Sequence, residues 1–224
     1  HISTLHELGL LGGIVESDSE VLRCFSDQYP EIYIKGNFIV GFPFENYHQL
    51  QDTYKVAFDV DFDWCIFSIY SPLVGTDAMN QFDIKTQQKI ENNESNFGSV
   101  EFVPDGFKSV DEFNNEVYLN NLKSNFMYNP NLEGRRFGVK RAIRDFKRIL
   151  TGVDKNHALA MYYLSTFGNI IGAEDAETYR KKYLKILKEN NKWSFFFDKL
   201  GVTNKAIKSR NFIFSDFKAG REMD

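Results

Sequence analysis

Residues 32–70 carry the pattern that most narrows what this chain can fold into. Ile32-Tyr33-Ile34 and Phe38-Ile39-Val40 flank Lys35-Gly36-Asn37, a run rich in β-branched and aromatic residues that predicts one strand, buried on both faces towards its end and stopping at Gly41. Asn46 with Gln49 is a capping pair, and Leu50, Tyr54, Ala57 and Phe58 recur at helical spacing, so a helix is expected over about 47–60. The apolar run from Trp64 to Tyr70 predicts a second strand. Strand, tight turn, helix, strand is a βαβ unit, whose strands are parallel and therefore end on the same side. Ligands bind at that carboxyl edge in parallel sheets and barrels, so the turns 41–45 and 71–76 form the expected working edge.

Two strands do not make a stable sheet, and further strands are expected from outside these residues. The stretch 83–96 is polar, and 100–103, ahead of Pro104-Asp105-Gly106, is a candidate short strand. Upstream, Ser17-Asp18-Ser19-Glu20 is a capping box opening a short helix that should end near Tyr29-Pro30. Beyond Val110 the period turns helical. Val110, Phe113, Val117, Asn121, Leu122 and Phe126 mark one helix, Val139, Ile143, Phe146 and Leu150 a second, 158–171 a third, and Ala176, Tyr179, Tyr183 and Leu187 a fourth. Phe146, Ile149 and Leu150 match Tyr183, Ile186 and Leu187 at an offset of 37 residues, near the period of tetratricopeptide repeats; an ordinary helical bundle is the alternative.

Charge and cysteine content bound the partners. A formal net charge of −4 and a pI near 5.7 predict neither a general nucleic-acid binder nor a protein of anionic membranes. No apolar run reaches bilayer length and no leader pattern opens the chain, so the expected location is the cytoplasm and no membrane partner is expected. Cys24 and Cys65 lack metal-ligand or redox spacing and read as reduced packing residues. His1 and His6, even with Glu7, make a poor metal pair. The cluster Arg135, Arg136, Lys140, Arg141, Arg144, Lys147 and Arg148 reads as the solvated face of a helix, with an acidic partner or RNA as the alternative.

Two segments resemble a known family. "GNFIVGFPFEN" at 36–46, then a helix, then "FDWCIFSIYSPLVGTDAM" at 62–79, resemble the fifth and sixth strand regions of radical S-adenosylmethionine enzymes, which read close to F-I-I-G-F-P-G-E-T and F-x-x-Y-S-P-x-P-G-T-x-A. The tail, with "YLNNLKSNFMYNPNL" and "HALAMYYL", resembles the C-terminal extension of members with an upstream cobalamin-binding domain. The resemblance implies an α/β fold: the C-terminal portion of a partial TIM-type (βα) barrel over 1–108, an all-α, TPR-like domain over 109–200, and a tail over 201–224. It implies that Ile39, Val40, Gly41 and Phe42, with Tyr70, Ser71 and Pro72 on the neighbouring strand, line the adenosyl part of S-adenosylmethionine. Asn37 and Glu45 face substrate or shape the turn, Glu45 more as a helix-start carboxylate than as a proton carrier.

The departures are as informative. Phe44 stands where the family has Gly, and Val74 where it has Pro. The C-x-x-x-C-x-x-C motif that holds a 4Fe-4S cluster is absent, so the cluster ligands are expected upstream of a truncated chain that is inactive alone. With those parts, the resemblance implies cleavage of S-adenosylmethionine to a 5′-deoxyadenosyl radical, an electron donor such as flavodoxin or ferredoxin, and cobalamin-dependent methylation as the candidate outcome; a small-molecule substrate is expected and, from bulk charge, no nucleic acid. The alternatives are a radical methylthiotransferase acting on tRNA or a ribosomal protein, and a non-catalytic helical interaction module.

Overall fold

A computed structural model describes residues 28–29, 32–43, 45–60, 62–71, 74–92, 103–135 and 137–203. The capping box at Ser17, Cys24, the His1, His6 and Glu7 group, Phe44, Pro72, Arg136, most of the 100–103 candidate strand and most of the 201–224 tail lie outside these residues. The chain divides into two compact units, His1–Asn125 and Phe126–Asp224.

The first unit is built on a parallel pair, β1 (Lys35–Val40) and β2 (Trp64–Ile69), in register from Lys35 opposite Trp64 to Val40 opposite Ile69. At the amino ends, Asp63 fixes that register. Its buried carboxylate accepts from the Ile34 N–H at 2.8 Å while its own N–H donates to the Ile34 carbonyl at 2.9 Å. β1 begins at Lys35, later than the run from Ile32 predicts, because Ile32, Tyr33 and Ile34 precede the ladder.

Helix α1 (Tyr47–Asp59) connects the strands and starts where its sequence says it should. Asn46 and Gln49 exchange side-chain-to-backbone bonds, both 3.0 Å, as a complete capping box. Leu50, Tyr54 and Ala57 form its buried stripe and join Val40, Cys65, Phe67, Phe113 and Val117 in one core. Ring contacts interlock that core: Tyr54 meets Phe67 edge-on at 4.8 Å, and Phe107 meets Phe113 at 5.1 Å.

After β2 come a 3-10 turn (Asp77–Gln81) and, within the polar stretch 83–96, α2 (Ile84–Glu91). Only Ile90 of α2 is buried, so no apolar period announces it; the signal is the Asp83 cap, whose carboxylate accepts from the Thr86 N–H at 2.9 Å. Val103 is not in a strand.

Helix α3 (Val110–Phe126) does more than fill space. Asn121 accepts from the Phe67 N–H at 2.9 Å and donates to the Phe67 carbonyl at 3.0 Å. One turn on, Asn125 does the same for Cys65 at 2.8 and 2.6 Å. Two side-chain amides thus occupy the edge of β2 that a further strand would use. Among the described residues the sheet has the two strands alone, leaving the outer edge of β1 without a partner strand.

The second unit is all helical in its described residues: α4 (Val139–Gly152), α5 (Ala158–Ile171), α6 (Ala176–Glu189) and α7 (Asn191–Lys199). α4 and α6 are both 14 residues long, and they begin 37 positions apart, as the repeat predicts; Phe146 and Tyr183 occupy matching buried positions. α5 is buried on nearly every side from Ala158 to Gly168, as a central helix must be. It is capped by His157, whose Nδ1 accepts from the Ala160 N–H at 3.1 Å, and the Tyr163 hydroxyl donates to the Phe126 carbonyl at 2.6 Å. α7 was not anticipated; Asn190 caps it, accepting from the Lys192 and Trp193 N–H groups. No described helix is long and apolar enough to cross a membrane.

Candidate active-site edge

The two strands differ in how their faces are used. Gly36, Phe38 and Val40 with Cys65, Phe67 and Ile69 look into the helix-packed core, whereas Lys35, Asn37 and Ile39 with Trp64, Ile66 and Ser68 form the other face. That second face is open: Ile39 is 56% exposed, so the expectation of a strand buried on both faces fails for the described residues. A parallel sheet ordinarily has both faces covered.

At the carboxyl edge the structure brings together Ile39, Val40, Gly41, Phe42, Tyr70 and Ser71. The Tyr70 N–H donates to the Val40 carbonyl at 2.7 Å, tying the two strand ends. Gly41 follows with φ of 83°, a conformation open to glycine and strained for other residues. The rings of Phe42 and Tyr70 lie 4.5 Å apart, tilted by 35°. Val40 is fully buried, so only its backbone belongs to the edge, while Ile39 presents its side chain. Ser71 is exposed, and Asn37 stands on the open face opposite Ile66.

Glu45 is held by the turn. The Gly41 N–H donates to its carboxylate at 2.5 Å, and the Glu45 N–H donates to the Phe42 carbonyl at 3.0 Å. Burial pushes the Glu45 carboxyl up, against hydrogen bonds from the Gly41 and Phe42 backbone that pull it down. It lies before the Asn46 cap and outside the first helical turn, which holds no acid; the helix-start explanation therefore gives way to closure of the 41–45 turn.

Ser68 and Ile66 were not singled out in the sequence. Period-two alternation places them on the face of Asn37 and Ile39 once the register is known. Cys65 is a buried free thiol whose burial pushes it up to about 12, an inert packing residue. Among the described residues no group of three or more His, Cys, Asp or Glu side chains could hold a metal ion.

Comparison with known proteins matches part of the chain. Over 72 residues it is 43% identical to a tRNA-2-methylthio-N(6)-dimethylallyladenosine synthase of Vibrio parahaemolyticus, covering 32% of this chain and 15% of that protein. The same enzyme from Baumannia cicadellinicola is 42% identical over 78 residues, covering 35% and 17%, and that from Vibrio vulnificus 45% over 58 residues, covering 26% and 12%. The chain thus spans about a sixth or less of the length of the curated relatives it matches. No family model matches, and no solved structure does. The tRNA in those names runs against the expectation, drawn from bulk charge, of no nucleic acid.

Proposed function

We propose that this chain supplies the S-adenosylmethionine-binding edge of a radical S-adenosylmethionine enzyme that modifies RNA. The observation that carries the reading is the carboxyl edge itself: two parallel strand ends joined at 2.7 Å, followed by a positive-φ glycine. The partial likeness to tRNA-modifying enzymes supports the same reading. The residues fit an adenosyl group, because Gly41 brings no side chain, Ile39 is exposed, and the Phe42 and Tyr70 rings are only half-buried. The chemistry that S-adenosylmethionine supplies when bound is the adenosyl group from which hydrogen abstraction starts. The chain's own part is positioning: Val40 holds Tyr70, Glu45 holds the Gly41 N–H, and the paired rings exclude water beside the adenine.

A 4Fe-4S cluster does not fit the described residues, which offer one buried cysteine and no ligand group. A second reading, cobalamin-dependent methylation, rests on the resemblance of the tail sequence alone, and the relatives named above do not favour it. The test is the full-length gene product reconstituted with iron and sulfide under anaerobic conditions. With S-adenosylmethionine added, dithionite should release methionine and 5′-deoxyadenosine, and Gly41→Val should suppress both; a product without 5′-deoxyadenosine refutes the radical reading. Mass spectrometry of treated tRNA then separates methylthiolation from methylation.

A further inference from the structure

The helical unit is the basic part of an acidic chain. Residues 126–203 hold 15 Lys and Arg against eight Asp and Glu, net +7, while all other residues hold 12 against 23, net −11, which together give the chain's −4. Segregation of this kind is the electrostatic footprint of a polyanion site, concealed in the total.

Much of the positive charge on α4 and just before it is already matched. Arg141 and Arg148 share Asp145 at 2.8 and 3.7 Å, Lys147 reaches Asp175 at 3.3 Å, and Arg135 reaches Glu133 at 3.0 Å. Four described members of the Arg135 to Arg148 cluster, for which the sequence predicts a solvated helix face, are thus ion-paired. A different set of cations is not matched. Lys155, on the α4–α5 link, and Lys182, on α6, have no ion pair among the described residues, and with Lys185 they rim a groove of about 530 Å³. Lys185 makes a loose contact with Glu189, 3.9 Å between exposed side chains, of the kind that contributes little.

The rest of the groove is suited to more than charge. Met161 and Ile186 add apolar lining, Asn156 and Asn190 add amides, and Glu189 adds one carboxylate beside Lys185, so the lining carries three cations against one anion. The Asn190 oxygen is committed to the α7 N–H groups, which leaves its Nδ2 as a donor. The volume is that of a small-ligand site. Lysines act as mobile point charges that follow a phosphodiester of variable geometry, and apolar lining with amides suits the face and edge of a base.

We propose that this groove binds single-stranded RNA, with Lys155, Lys182 and Lys185 on phosphates and one base over Met161 and Ile186. The choice of RNA rests on the RNA-modifying reading above; a free mononucleotide offers the same chemistry, and the test separates the two. The measurement is fluorescence anisotropy of the 224-residue chain with a labelled single-stranded RNA of about 12 nucleotides at several salt concentrations. Replacing the three lysines by glutamine should weaken binding by about tenfold or more and flatten the log–log salt slope by about 2, as expected for three lost phosphate contacts on a single strand. Lys140→Gln with Arg144→Gln on α4 should change affinity by less than about threefold, as peripheral charges do. Equal losses in the two variants, competition by AMP as effective as by the RNA, or poly-L-glutamate binding as tight as RNA each overturn the proposal. Absence of RNA binding by the unaltered chain refutes the groove alone, because the 5′-deoxyadenosine assay contains no RNA.

Discussion

Acid should loosen the helical unit through a single imidazole. His157 is 7% exposed, stacks on Phe126 at 5.4 Å, and meets Trp193 at 4.7 Å. Its Nδ1 must be unprotonated to accept from Ala160. Burial lowers its pKa from 6.5 to about 4, against the pull of Asp154 and a backbone hydrogen bond, both of which raise it. The fold therefore favours the neutral ring. The stability this confers is fully present above the unfolded value of 6.5 and is lost as pH falls towards 4. Between pH 7 and pH 5 the loss works out at about 2 kcal/mol. Urea unfolding followed by Trp193 fluorescence in a Trp64→Phe background measures it. His157→Asn keeps an N-cap acceptor but does not titrate, so it should be less stable at pH 7 and should lack the extra fall of about 2 kcal/mol towards pH 5. Parallel pH dependence in the two proteins would refute the reasoning.

Other residues give equally direct expectations. Asn125→Leu should cost about 1–3 kcal/mol in urea unfolding, because it leaves the Cys65 N–H and carbonyl unpaired in a buried setting; a neutral result would mean that α3 does not close the β2 edge. Gly168→Ala should destabilise by about 1–3 kcal/mol despite the better helix propensity, since the new Cβ would lie 2.8 Å from the Ala176 Cβ. Gly152→Ala, with nothing within 4 Å, should instead gain up to about 1 kcal/mol, and thermal unfolding of the pair reads both signs. Tyr163→Phe should lose about 1 kcal/mol or more with the buried bond to the Phe126 carbonyl.

Much of this architecture is legible in the sequence because local signals and global packing agree. The Asn46–Gln49 box starts α1 where its apolar period begins, and the stripe of Leu50, Tyr54 and Ala57 is the face that packs on the sheet. The 37-residue offset between Phe146 and Tyr183 survives as two helices of equal length. What the sequence hides is non-local. Nothing local in Asn121 and Asn125 says that their amides pair with backbone groups 54 and 60 residues away. The openness of Ile39 depends on what covers the sheet, which a buried-type run does not reveal. α2 lacks an apolar stripe, so only its Asp83 cap betrays it. The candidate edge is visible as a motif, but its geometry is not: Val40 is fully buried, and the Glu45 carboxylate closes the turn on the Gly41 N–H. Bulk charge hides most, because −11 and +7 cancel into a modest −4.

Hydrogen–deuterium exchange of the full-length gene product with and without S-adenosylmethionine tests the central claim most directly. The account predicts slowed exchange in peptides covering 36–46 and 64–71, where the Gly41 turn and the Tyr70 strand end meet, with the helices of 139–199 unchanged. Unaltered exchange at both strand ends, in a protein that demonstrably binds S-adenosylmethionine elsewhere, would contradict it.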